Sequence, residues 1–262
     1  MTSRYAELLR GAEAIAARAA QTLCAMRDGA LDVSRKELRD VVTAADLASE
    51  RVVLEGLRAL TPDAAILSEE AGASGPAGGG GWIVDPLDGT VNYAAGLPWF
   101  SVTLAYTEAG RTRAGVVHAP LVDIVARYCE DGIATINGRA ARVSARDSLA
   151  DAVVSIVLTS HFSDTDVART SDAVCRLGKI ARGVRIIVSG GLEMTLVADG
   201  QLDAFVSLKA DVVSHAAAMP LVRAAGGRVT RLDGTDATDD DLERVVSNGR
   251  IHDELLACLR NV

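Results

Sequence analysis

The spacing of apolar residues changes character near residue 150, and no other feature of the chain limits its fold as much. Before that point, Ser101 to Tyr106, Ala114 to His118 and Ile124 to Tyr128 read as strands of an antiparallel meander. Asn137-Gly138 then marks a turn ahead of Ala141-Arg142-Val143-Ser144. After it, strand and helix alternate: Val153 to Leu158, a helix near 165–177, Arg185 to Val188, a helix from about 190, Asp203 to Ser207, a helix near 211–225, and Gly226-Gly227-Arg228-Val229. The expectation is an α+β lobe over residues 1–148 and an α/β lobe over residues 149–262.

Two helices precede the meander. Leu8, Leu9, Ala12, Ile15, Ala16, Ala19 and Leu23 recur at helical spacing and end near Asp28-Gly29. A second apolar stripe, Leu47, Val52, Val53, Leu57 and Leu60, follows Thr43-Ala44-Ala45-Asp46 and stops at Thr61-Pro62-Asp63. Then come two short buried strands that each run into acid: Ala64 to Ser68 ends on Glu69 and Glu70, and Trp82-Ile83-Val84 ends on Asp85. The Gly-rich stretch between them, Gly72 to Gly81, has no Lys-Ser or Lys-Thr after it, so it reads as a flexible surface loop and not as a nucleotide P-loop.

Composition narrows the class of partner. With 49% hydrophobic residues over 262 positions the chain can bury a full core, which excludes disorder. A net charge of -8 without a basic run argues against nucleic acid. Cys24, Cys129, Cys175 and Cys258 are scattered and read as small core hydrophobes in a reducing compartment. The amphipathic N-terminus and the lack of a long apolar run point to a soluble, cytoplasmic protein with no membrane partner. His118, His161, His215 and His252 are isolated, and ordinary structural roles are expected for them.

The densest chemistry is Asp85-Pro86-Leu87-Asp88-Gly89-Thr90. Its carboxylates can meet only if the chain leaves a strand and folds back, and like charges brought that close need a cation. Gly89 and Thr90 would open a helix whose free N–H groups receive an anion beside that metal. An ordinary surface turn fits the same six residues equally well. Glu69, ending a neighbouring strand, favours the metal reading, because ligand sites in layered α/β proteins lie off strand ends. Asp46, taken alone, reads as a helix N-cap.

Together, Asp85-Pro-Leu-Asp-Gly-Thr-Val-Asn92, Leu67-Ser-Glu-Glu70, Val42-Thr-Ala-Ala-Asp46 and Ala225-Gly-Gly227 resemble the inositol monophosphatase family of magnesium-dependent, lithium-sensitive phosphatases, in the family's order and spacing. The resemblance implies a layered α-β-α-β-α sandwich, usually a homodimer, that hydrolyses a small phosphorylated metabolite. It makes Glu69, Asp85 and the carbonyl of Leu87 ligands of one Mg2+, with Asp85 bridging to a second held by Asp88, and Glu69 facing a weaker third. It gives Gly89 and Thr90 to the phosphate, and Thr90 with Asp46 to the attacking water. Glu70 matches an acid that supports the site from behind.

The pattern breaks in the second half. The family's further Asp ligand falls on Ser214, and a neutral hydroxyl binds magnesium poorly, so the second site is expected to be weakened. Three readings are open: Asp211 supplies the carboxylate from a shifted backbone, Ser214 or His215 acts through water, or one tight ion remains. Of these the last two agree better with the register fixed by Pro220 and Gly226, leaving Asp211 as a helix N-cap. A substrate-contacting Glu of some relatives falls on Ser207, and a Gly-Ser-Ala-Ala-like turn becomes Val188-Ser189-Gly190-Gly191. Ser189 reads as an N-cap, Gly190 and Gly191 as room for a larger substrate group, and Arg185, Glu193 and Lys209 as unassigned pocket candidates. A catalytically weakened or repurposed protein that binds a phosphorylated ligand or a partner is therefore the alternative to an active phosphatase.

Overall fold

The computed structural model describes residues 3–27, 33–35, 41–76, 79–159, 161–209 and 211–260. Helix α1 (Arg4–Arg27) buries the stripe read from the sequence, and its expected end at Asp28-Gly29 lies outside the described residues. A short ribbon, β1 (Val33–Arg35) against β2 (Val41–Thr43), leads into α2 (Ala44–Leu60). Next come β3 (Ala65–Ser68), β4 (Gly72–Ser74), β5 (Gly81–Asp88), the short α3 (Thr90–Ala94), β6 (Ser101–Glu108), β7 (Arg111–Ala119), β8 (Ile124–Cys129), β9 (Ile133–Ile136) and β10 (Arg139–Ala140). These strands form one eight-stranded sheet in the order β10-β9-β8-β7-β6-β5-β3-β4. The meander is as expected, but part of the supposed glycine loop is strand: β4 pairs with β3, because the left-handed Gly72 (φ 70°) permits the reversal.

The second sheet is mixed. β11 (Val153–Ile156) leads through α4 (Asp164–Ile180) to β12 (Gly183–Arg185), then α5 (Gly190–Ala198) and β13 (Ala204–Ser207). After α6 (Val212–His215), α7 (Ala218–Ala224) and β14 (Arg228–Thr230), the chain closes with β15 (Arg244–Ser247) and α8 (His252–Cys258), an element pair with no reading from sequence. The order is β12-β11-β13-β15-β14, with β11 parallel to β12 and β13, and β15 antiparallel to β13 and β14.

Helix contacts arrange these elements in five layers. α1 and α2 cover one face of the first sheet, α5 and α7 lie between the sheets and touch both, and α4 and α8 cover the far face of the second. The interior between the sheets joins Ala105, Val117 and Ala126 of the first to Phe205 and Val246 of the second through Leu192, Met194, Met219 and Val222. Among the described residues, no helix is long and apolar enough to cross a membrane.

Two expected elements are altered. The strand expected over Arg185 to Val188 stops at Arg185, and Val188 stands at φ 64°, a conformation in which a β-branched residue cannot extend a strand. The single helix expected near 211–225 breaks at residues 216–217. Pro220 has no N–H for the Ala216 carbonyl, which accepts from Thr112 Oγ1 instead (3.2 Å). The cysteines also depart from a uniform core role: Cys129 is buried, Cys24 and Cys258 are half-buried, and Cys175 is exposed because it lies off the Thr170–Ala173–Leu177 stripe of α4.

Candidate functional site

Successive strand residues face opposite ways, so Asp85 and Asp88 of a regular β5 would point to opposite faces. The ladder to β6 resolves this: Asp85 pairs with Thr103 and Asp88 with Ser101, three steps on β5 against two on β6. That extra residue is a β-bulge, placed where Pro86 has no ladder donor to lose. The carboxylates are thus set by a bulge within a strand and not, as expected, by a turn that leaves one. Gly89 follows at φ 92°, where a Cβ would stand 2.7 Å from the Trp99 carbonyl, so a side chain there is excluded on two counts.

These residues line one wall of a cavity of about 510 Å3, with Glu69, Glu70, Asp85, Leu87, Asp88, Gly89 and Thr90 from the first sheet's strand ends. Asp211, Ser214, His215 and Gly190 reach the same cavity from the second half of the chain. Ser189 is buried just beneath. Asp46 lies in the first turn of α2 and not at its N-cap; it is buried, and Thr90 Oγ1 donates to its carboxylate at 3.3 Å. The same hydroxyl is 3.0 Å from the Leu87 carbonyl.

Electrostatics separates the acids. Asp85 is closed off from solvent and accepts a main-chain hydrogen bond from Leu87 N at 3.0 Å. Burial, then Glu69, Asp88, Asp211 and Asp46, push its carboxyl well above the usual range. Glu69 is raised by lost hydration and by Asp211 and partly relieved by a hydrogen bond with Asp85. Glu69 opens onto the cavity and keeps contact with solvent. Asp88 is raised less, because donors oppose its burial. Its Oδ2 accepts from Ser189 Oγ (2.7 Å), Ser101 Oγ (2.8 Å), Gly191 N (3.1 Å) and Leu192 N (3.3 Å).

Those contacts correct the reading of Ser189. It occupies the N-cap position of α5 without capping the helix through its side chain; its hydroxyl goes to Asp88, and Asp88 accepts the helix's free N–H groups from across the cavity. Glu193, fully buried in α5, accepts from Ser189 N (2.9 Å) and from the Ser155 hydroxyl, and burial raises its carboxyl to about 7. Asp211 is the N-cap of α6, accepting from Val213 N at 2.8 Å.

Gly190 and Gly191 do not open the cavity. A Cβ on Gly190 would meet His215 Nε2 at 2.3 Å, and one on Gly191 would meet Thr103 Cγ2 at 2.6 Å, so protein fills the space. The His215 ring packs edge-on to Phe205 and takes a hydrogen bond at Nδ1 from Arg244 at 3.1 Å. Arginine only donates, so Nδ1 is the acceptor and Nε2 carries the proton of the neutral ring. Burial and Arg244 hold that ring well below its ordinary value. Arg244 is itself fully buried, lowered to about 10 by burial, and bound to the Asp239 carbonyl at 2.6 Å. Sequence reasoning missed it: an Arg opening a strand has no local signal, and its partner is 29 positions away. Asn92 was likewise only part of a motif, yet its amide donates to the carbonyls of Trp99 (2.8 Å), Ile187 (2.8 Å) and Val188 (3.3 Å), holding the strained segment in place.

The donors fit a hard divalent cation in kind, since carboxylate oxygens and a main-chain carbonyl are what magnesium takes. They are unequal in readiness: burial and neighbouring acids raise both Glu69 and Asp85, Asp88 has Oδ2 committed, and Ser214 adds no carboxylate. Among the described residues, no three acid, cysteine or histidine side chains are grouped as a ready metal cage.

Comparison with known proteins gives the family and the fold. The sequence profile described as the inositol monophosphatase family matches residues 4–262. A fructose-1,6-bisphosphatase/inositol-1-monophosphatase of Thermotoga maritima is 36% identical over 225 residues, 86% of this chain and 84% of that protein. The Nus factor SuhB of Pseudomonas aeruginosa is 31% identical over 237 residues, 88% of this chain and 86% of that one. Among solved structures, the extragenic suppressor protein SuhB of Bartonella henselae superposes with a TM-score of 0.91 at 28% identity, covering 97% of this chain and 98% of that one.

Proposed function

The chain belongs to the inositol monophosphatase family, whose members are metal-dependent phosphatases, and from that premise we propose that it is a magnesium-dependent phosphomonoesterase acting on a small phosphorylated metabolite. The observation that carries this reading is Asp85: a closed-in carboxylate with one amide donor and like charges around it, which a divalent cation would relieve. Glu69, Asp85 and the Leu87 carbonyl would hold a first magnesium, and Asp85 with Asp88 a second. When bound, the metal supplies Lewis-acid polarisation of the phosphate and lowers the pKa of water.

The chain's own part is positioning and proton transfer. Gly89 and Thr90 offer main-chain N–H groups to the phosphate; α3 spans only five residues, so these local donors act and not a long helix dipole. Thr90 Oγ1, paired with Asp46, orients the attacking water and passes its proton toward the carboxylate. Asp88, which lines the cavity, is held through Oδ2 to the N-terminus of α5.

Phosphate release measured with magnesium and with EDTA tests the reading. Release should require the metal; hydrolysis that persists in EDTA refutes it. A second reading, a weakened enzyme that keeps a phosphorylated ligand or protein partner, draws on Ser214 and on relatives named Nus factor SuhB. Rapid turnover of any natural phosphate ester at millimolar magnesium removes it.

A further inference from the structure

One face of α2 carries polar groups where a core is expected. Val53 and Leu57 are buried at helical spacing, and the same stripe runs back through Glu50, Ser49 and Asp46. All three are buried, at 8%, 0% and 2% exposure. Burying a carboxylate or a hydroxyl is costly unless it meets a partner, and here the partners belong to the segments that carry the cavity acids. Glu50 Oε1 accepts from Ser68 Oγ (2.6 Å) and from Ala71 N (2.9 Å), so one oxygen grips the chain on both sides of Glu69 and Glu70. That grip falls in the turn beyond the β3–β4 ladder, which ends with Ser68 opposite Gly72. Ser49 Oγ donates to the Pro86 carbonyl at 2.7 Å. Pro86 and Leu87 are the bulge residues between Asp85 and Asp88; the first is held by Ser49 while the second lines the cavity.

From this we infer that Ser49 and Glu50 are positioning residues for the cation site. Through them α2 acts as a template that sets the spacing between the turn bearing Glu69 and the bulge bearing Asp85 and Asp88. The inference rests on the metal-dependent reading of the cavity and adds the residues that keep its ligands at a fixed separation. Without Glu50, the Ser68 hydroxyl and Ala71 N lose their acceptor, and the turn can shift against the bulge. A cation would then have to order the acids itself, which weakens its binding. A role played through hydrogen bonds needs an acceptor and not a charge, so glutamine can take the place of Glu50.

Binding of Mn2+ to the substrate-free protein, read from the free-ion signal in electron paramagnetic resonance, tests this; Mn2+ is a divalent ion that takes the same oxygen donors. Glu50→Ala should weaken binding about tenfold, and Ser68→Ala, which removes one donor and little volume, about threefold. Glu50→Gln should restore affinity to within about twofold of wild type. Unchanged affinity in Glu50→Ala overturns the inference and leaves Glu50 a merely structural group. A loss in Glu50→Gln as large as in Glu50→Ala also overturns it, because the residue would then act by its charge. If Glu50→Ala does not fold, Ser68→Ala and Ser49→Ala decide: binding weaker by at least about threefold supports the inference, and unchanged binding overturns it. A wild type that binds Mn2+ but releases no phosphate from any ester ends the phosphatase reading alone, and the same series of affinities still decides this one. A wild type that binds no Mn2+ overturns both.

Discussion

Asp85, near the end of β5 in the first sheet, and Asp203, just before β13 in the second, are almost equally buried, at 1% and 0% exposure. Their surroundings are opposite. Asp203 accepts from Arg146 (2.9 Å), Val153 N (2.7 Å) and the Ser144 hydroxyl, so its charge is matched and both oxygens are used. Asp85 has one amide and a crowd of acids. The first ties the β11 and β13 segments together; the second holds charge in reserve for a ligand. Burial alone therefore does not mark a functional carboxylate, and the count of positive and N–H partners does.

That contrast can be broken in order of expected effect. Asp85→Asn should lower phosphate release by at least about a thousandfold while leaving the protein folded and, in EDTA, no less stable than wild type. A variant that unfolds would place Asp85 in the structural class. Asp203→Ala should do the reverse, costing about 3–5 kcal/mol in chemical denaturation because Ser144, Arg146 and Val153 N lose their acceptor. Full stability there would cancel the distinction.

Glu193 lies between the two cases, buried with hydroxyl and main-chain donors but without a cation. Its folded value of about 7 exceeds its ordinary 4.5, so the fold favours the protonated acid. This contribution to stability is full below about pH 4.5 and is lost as pH rises through 7. Glu193→Gln should flatten that part of the pH–stability profile by about 2–3 kcal/mol, and parallel profiles would show that Glu193 ionises freely in the fold. The smallest expected effect is Ser214→Asp, which adds an acid to the side already short of compensation. It should lower the magnesium concentration for half-maximal activity about tenfold and lower stability in EDTA by about 1 kcal/mol. An unchanged magnesium requirement would mean the cavity has reorganised around the serine.

Much of this was legible in the chain. The meander, α1 and α2 follow from periodicity, and the acids at the ends of Leu67-Ser68 and Ile83-Val84 announced where the cavity would be. What stayed hidden depends on partners distant in sequence. Ser189 has the identity of an N-cap but donates to Asp88, 101 positions away, and the role of Gly190 is visible only once His215 lies against it. β12 was placed too late because Ile186, Ile187 and Val188 look like strand by composition, whereas their backbone is turned out by Asn92 and the left-handed Val188. Arg244 reads as one charge at a strand start, and only burial shows that it sets the histidine tautomer.

The bulge in β5 works as a phase shift. Adding one residue between Asp85 and Asp88 while the bulge keeps its single extra residue would leave the composition of acids intact and every strand pairable, yet it would put the two carboxylates out of step, one toward the cavity and one toward the opposite face. Insertions in the loop after β4 carry no such penalty, since nothing in the cavity counts residues from there. The site is thus guarded by an exact chain length over four positions and is indifferent to length a few residues upstream. A scan of single-residue insertions along 72–90 would expose that guarded interval as a sharp loss of activity without a matching loss of fold.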